Sequence, residues 1–88
     1  MWKIELSKQA DKFNKKENIE DKEIVSLMQK FINYAKGMDE SINANKMKGK
    51  WKGYYRIKAG KIRIILKVNF TERKIYMDRI DFRGDVYK

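Results

Sequence analysis

Arg56, Lys58, Lys61, Arg63 and Lys67 occupy one phase of the alternating stretch WKGYYRIKAGKIRIILKV (51–68), and apolar residues occupy the other. Cations of this kind, gathered on one side of two adjacent strands, suit a phosphate. A guanidinium grips it through two parallel N–H bonds, and an ammonium adds a point charge. The chain has no histidine and no cysteine, so it lacks the commonest general base and the thiolate nucleophile. Any chemistry must run on Lys, Arg, Tyr, Asp, Glu or the backbone. A histidine triad, a zinc hydrolase and a thiol enzyme are excluded.

The pairing of the two strands decides which cations meet. A two-residue loop at Ala59-Gly60 predicts Lys58 opposite Lys61, Arg56 opposite Arg63 and Tyr54 opposite Ile65. On the other face Ile57 meets Ile62 and Tyr55 meets Ile64, and Leu66 and Val68 extend this apolar side. Each like-charge pair costs a few tenths to about 1 kcal/mol. No acid relieves the strain between Glu40 and Glu72, a window holding nine Lys and Arg. Such a patch is shaped for phosphate. Trp51, Tyr54 and Tyr55 beside it suit base stacking, and Lys50 and Lys52 add charge.

The elements that carry these residues follow from hydrophobic period. Trp2, Ile4 and Leu6 alternate with Lys3 and Glu5, which reads as a strand. Ser7 caps a first helix whose apolar side carries Ala10 and Phe13, and NKKEN ends it. Ile24, Leu27, Met28, Phe31, Tyr34 and Ala35 form the stripe of a second, longer helix that Gly37 stops. Residues 38–53 read as a loop with room for a short extra strand or turn. Strands follow at Tyr54–Lys58, Lys61–Asn69 and Lys74 to about Phe82. The order β-α-α-β-β-β predicts one α+β domain over residues 1–88, an antiparallel sheet with a helical hairpin packed on one face. A turn at 70–73 sets Lys67 beside Tyr76, Ile65 beside Asp78 and Arg63 beside Ile80. Arg79 then points to the helix side unless a bulge resets the phase.

Twenty-two Lys and Arg against twelve Asp and Glu give a net charge of +10, which points to a polyanionic partner, nucleic acid first and an acidic protein second. No apolar run reaches the roughly 18 residues of a membrane span, and the first residues lack a signal-peptide core. The expectation is a cytoplasmic protein without a membrane partner.

NKMKGKWKGYYRIKAGKIRIILKV followed by IYMDRIDFRGDVYK resembles the RelE family of toxin–antitoxin systems. Its members carry a G-x-x-x-Y-R-I-[RK] strand, a short turn, a Y-R-L-like strand and a C-terminal H-R-x-D-V-Y motif. The likeness covers the last half of the chain by motif and the whole by element order. It implies a ribosome-dependent endoribonuclease that inhibits translation by cutting mRNA, needs no metal or other cofactor, and is neutralised by an acidic antitoxin encoded nearby. In that chemistry the substrate's 2′-hydroxyl attacks the adjacent phosphate.

Residue by residue, the resemblance puts Arg56, Lys58, Arg63, Arg83 and Tyr87 at catalytic positions. Lys58 is a candidate base, because flanking cations favour neutral amine. Arg56 and Arg63 would clamp the phosphate. Arg83 would bind phosphate or protonate the leaving oxygen, and Tyr87 would stack or help in proton transfer. Which is base and which is acid stays open. Lys50, Lys52, Tyr54, Lys61, Lys67 and Arg79 are the expected RNA-binding set. Phe82 stands where many relatives have histidine, and Gly84 where many have a second basic residue. Two other readings share these features: a ParE-like gyrase poison on the same fold, and a non-catalytic RNA- or ribosome-binding module.

Overall fold

The computed structural model describes residues 2–38 and 41–83. Strand β1 (Lys3–Leu6) leads into helices α1 (Lys8–Lys16) and α2 (Asp21–Ala35), and four strands follow: β2 (Asn43–Lys46), β3 (Tyr55–Ala59), β4 (Ile62–Asn69) and β5 (Lys74–Phe82). They form one sheet in the order β1-β5-β4-β3-β2. The architecture is the expected α+β one with two differences. β2 is an added edge strand from the 38–53 segment, and β1 runs parallel to β5, so the sheet is mixed. The parallel pair follows from the two helices, which form the crossover from β1 back to the rest of the sheet.

Both helices close with the same device. Asn18 (φ 56°) and Gly37 (φ 85°) take left-handed backbone just past α1 and α2. The next N–H then folds back, from Ile19 to the Asn14 carbonyl at 2.9 Å and from Met38 to the Asn33 carbonyl at 3.0 Å. These bonds satisfy carbonyls that a helix end otherwise leaves open. α1 and α2 lie on one face of the sheet. Ala10, Phe13, Ile24, Met28, Phe31 and Ile32 pack there against Ile57, Ile64, Leu66, Ile75, Met77 and Ile80. The α2 stripe is as expected except that Ile32 is buried and Tyr34 stays half outside, donating its hydroxyl to the Ala44 carbonyl at 3.4 Å.

Two features of β3–β5 correct the expected register. The hairpin loop is Gly60-Lys61, so Ala59 pairs with Ile62, Lys58 with Arg63, Ile57 with Ile64 and Arg56 with Ile65. Lys58 therefore does not face Lys61, and Arg56 does not face Arg63. The reason is turn chemistry. Gly60 takes φ 61° and Lys61 does not turn positive, the pattern of a type II′ turn with glycine first. A loop at Ala59-Gly60 would force alanine into that conformation at about 1–2 kcal/mol.

The second feature is a bulge. Leu66 pairs with Met77 and Ile65 with Arg79, so the ladder skips Asp78. Ile75 and Met77 before the bulge and Ile80 after it all reach the core. Arg79 moves to the outer face beside Ile65, and Asp81 instead of Ile80 meets Arg63.

The β1–α1 junction holds this bulge. Ser7 Oγ accepts from Ala10 N–H at 3.1 Å as the α1 cap and donates to the Asp78 carbonyl at 2.6 Å. Gln9 continues the ladder where β1 has ended. Its Nε2 donates to the Ile80 carbonyl at 2.6 Å, and its Oε1 accepts from Ile80 N–H at 2.9 Å. Replacing Gln9 by alanine leaves two part-buried backbone groups without these partners, at roughly 1–3 kcal/mol. Urea unfolding of Gln9→Ala should show that loss, with Lys8→Ala within about 0.5 kcal/mol of wild type. Equal stability of the two variants would remove the bracing role of Gln9.

Candidate nucleic-acid interface

Because Ile57, Ile64 and Ile80 face the helices, their neighbours along each strand face the other way. Two cross-strand rows result. One runs Asn43, Lys58, Arg63, Asp81, and the next runs Asn45, Arg56, Ile65, Arg79. Adjacent members of a row lie about 4.8 Å apart along the sheet, and the rows are separated by about 6.7 Å.

Ile65 organises the second row. It is 0% exposed yet lies outside the cluster that packs on the helices. Its cover comes from the outer face, where Arg56 and Arg79 flank it in register. Both arginines are half-buried, and the Nε atom of each is buried. An arginine stem can lie along an apolar side chain of this kind. The cost is freedom of the guanidinium, which favours rigid presentation over reach.

In the first row Arg63 Nη1 donates to the Gly60 carbonyl at 2.8 Å and to the Ile62 carbonyl at 3.0 Å. The turn thus holds the guanidinium at the hairpin tip. Arg83 N–H donates to the Lys61 carbonyl at 2.7 Å, so the end of β5 closes onto the same tip. Lys58, Lys61, Arg63 and Arg83 therefore share one end of the hairpin. At the other end of β3 stands the compact connection 47–54, with a 3-10 turn at Gly49–Trp51 and a bond from Met47 N–H to the Tyr54 carbonyl at 2.9 Å. It carries exposed Lys50 and Lys52. Trp51 and Tyr54 meet edge to face at 5.2 Å, and Lys67 Nζ sits 5.8 Å from the Tyr54 ring centre. About 17 Å of strand separates the two ends.

On the outer face Arg56, Lys58, Arg63 and Arg79 are all half-buried. The apolar groove of about 530 Å³ between α2 and the hairpin, lined by Ile19, Ile24, Leu27, Ile62 and Ile80 among others, lies on the helix side. Among the described residues no three His, Cys, Asp or Glu side chains cluster as metal ligands, and no helix is long and apolar enough to cross a membrane.

No protein-family model matches the sequence, and no curated protein matches it. Solved structures do. HP0892 from Helicobacter pylori superposes with a TM-score of 0.67 at 18% identity, over 96% of this chain and 97% of that one. YafQ from E. coli strain BL21(DE3) gives 0.65 at 19% identity, over 96% of both chains. The YoeB–YefM toxin–antitoxin complex from Staphylococcus aureus gives 0.62 at 21% identity, over 89% of this chain and 92% of its match. The fold is RelE-like.

On this RelE-like sheet, Lys58 and Arg63 face each other, Arg56 lies one row away, and Arg83 stands at the tip beside them. Arg79 joins Arg56 across Ile65, whereas Lys50, Lys52, Tyr54 and Lys67 form the distant cluster. Gly84 and Tyr87 lie outside the described residues. Sequence reasoning missed Asp81, Asn43 and Asn45. Asp81 was legible in RIDFR only once the bulge was placed, and the asparagines only once 43–46 was known to be a strand.

Lys58 faces Arg63 directly, so removing its charge should relieve repulsion. Lys58→Gln should unfold later than wild type by a few tenths to about 1 kcal/mol at low salt. The gain should vanish near 1 M salt, where the Debye length is only about 3 Å. A lower stability at low salt would show that the pair is already neutralised.

Proposed function

We propose that this chain is the toxin of a type II toxin–antitoxin system, an endoribonuclease that cleaves mRNA on the ribosome. The observation that carries the reading is the cation arrangement on the outer sheet face: Lys58 opposite Arg63, with Arg56 and Arg79 flanking Ile65 one row away. Two guanidinium groups with restricted stems suit a phosphodiester better than a small diffusible anion, because the backbone of a strand can cross both rows. The toxin fold supports the choice, since YoeB is known from a complex with its antitoxin YefM. In this reading the 2′-hydroxyl attacks its own phosphate, Arg56 and Arg63 stabilise the charge that develops on phosphorus, and no metal takes part. The natural partner is an acidic antitoxin that covers part of a surface with net charge +10.

A second reading has its own support. Trp51 and Tyr54, with Lys67 over the latter ring, make an aromatic and basic platform that serves RNA or ribosome docking without catalysis.

Induction in cells followed by mapping of mRNA ends tests the function. Wild type should yield cuts in phase with codons, and Arg63→Ala and Lys58→Ala should each lower cutting about 100-fold or more, the scale seen when a transition-state donor is lost. DNA damage without mRNA cuts would point to a gyrase poison. Ribosome association without cuts would favour the docking module.

A further inference from the structure

Asp81 completes the row that holds Lys58 and Arg63. It stands directly opposite Arg63 on β5, as Lys58 does on β3. A carboxylate facing a guanidinium across two strands normally closes an ion pair. Here it does not: the described ion pairs are Lys15–Asp11, Lys22–Glu20 and Lys74–Glu5. The Arg63 fork turns instead to the carbonyls of Gly60 and Ile62. Asp81 Oδ1 accepts the N–H of Phe82 at 2.9 Å, and that bond orients the carboxylate without neutralising it.

A negative group in a surface built for phosphate weakens binding by repulsion. Its presence is favourable only if it does something a cation cannot. In a chain without histidine, a carboxylate is the side chain that arrives with a lone pair ready to take a proton. The row supplies the needed geometry. In-line displacement at phosphorus sets the attacking and leaving oxygens on opposite sides, and Asp81 and Lys58 flank Arg63 from opposite sides, about 10 Å apart along the sheet.

We propose that Asp81 is the general base of the cleavage and Lys58 the general acid, an assignment that rests on the nuclease reading above. Asp81 takes the proton of the 2′-hydroxyl as the 2′-oxygen bonds to phosphorus. The bond from phosphorus to the 5′-oxygen breaks, and the Lys58 ammonium gives that oxygen its proton. The products are a 2′,3′-cyclic phosphate and a 5′-hydroxyl, and one proton has passed from substrate to Asp81 while another has left Lys58. Arg63 between them holds the phosphoryl oxygens. Gln9 is a positioning residue, because its two bonds to Ile80 fix the backbone immediately before Asp81.

The test compares two mRNAs on programmed ribosomes, one with an ordinary scissile phosphodiester and one with sulfur in place of the bridging 5′-oxygen. A thiolate leaves without a proton donor, as its far lower basicity dictates. Asp81→Asn keeps an oxygen to accept Phe82 N–H, so thermal unfolding should match wild type. It should cut both RNAs roughly 10²–10⁴-fold more slowly. Lys58→Ala should be slow on the oxygen substrate and recover to within about tenfold of wild type on the sulfur one, and Asp78→Asn should cut at about the wild-type rate. Wild-type cutting by Asp81→Asn, or its rescue by sulfur, would overturn the assignment while leaving the nuclease intact. No cutting by the wild-type protein would overturn the nuclease reading and this assignment together.

Discussion

The skipped residue at Asp78 is the constraint on which the rest depends. β5 contains two apolar series out of phase with each other, Ile75 and Met77 on one side of Asp78 and Ile80 on the other. A regular strand could bury only one series, leaving the other in water at about 1.5–3 kcal/mol for each large side chain. One extra residue on β5 opposite Ile65 and Leu66 lets both series meet the helices. That single irregularity also turns Arg79 and Asp81 outward. Core formation and site formation are therefore one event on this strand.

A bulge leaves backbone groups that the ladder no longer serves, and they must find partners elsewhere. The chain solves this at its other end. Ser7 and Gln9, more than seventy residues earlier, reach the carbonyl of Asp78 and both polar groups of Ile80. The parallel pairing of β1 with β5 brings them there, since Leu6 pairs with Met77 at the point where the bulge begins. Ser7 and Gln9 thus support the outward-facing end of β5 through its backbone.

Much of this was legible in the sequence, and the failures have identifiable causes. The two helices and four of the strands followed from apolar period, because α2 and β4 each present one unbroken stripe. The faces of β3 and β4 were also correct, since a two-residue slip in pairing keeps every side chain on its side and changes only its partner. The partners were wrong because alternation is blind to turn type, and the left-handed requirement at the first loop position selects Gly60 over Ala59. β2 was hidden because Asn43–Lys46 is short and polar on an edge, where a strand needs few buried residues. Arg79 turned outward by the bulge that its alternation already hinted at. Asp81 was lost with it, because one extra residue on a strand exchanges every face beyond it.

The correct register changes the energetics of the charged face. Two facing cation pairs reduce to one, Lys58 with Arg63, while Arg56 faces Ile65 and Lys61 sits in the turn. The remaining repulsion is at most about 1 kcal/mol. Against it stand Ile57, Ile64 and Leu66, all fully buried on the other side of the same two strands, each contributing about 1.5–3 kcal/mol. A one-residue slip that separated the cations would turn one strand over and carry its apolar set, Ile57 or Ile64 with Leu66, out of the core. The helix-side packing therefore holds Lys58 against Arg63 with more than the energy needed, and no acid has to neutralise them. That surplus is what lets two cations of one row stay opposed, and a phosphate placed across Lys58 and Arg63 would relieve the repulsion that remains.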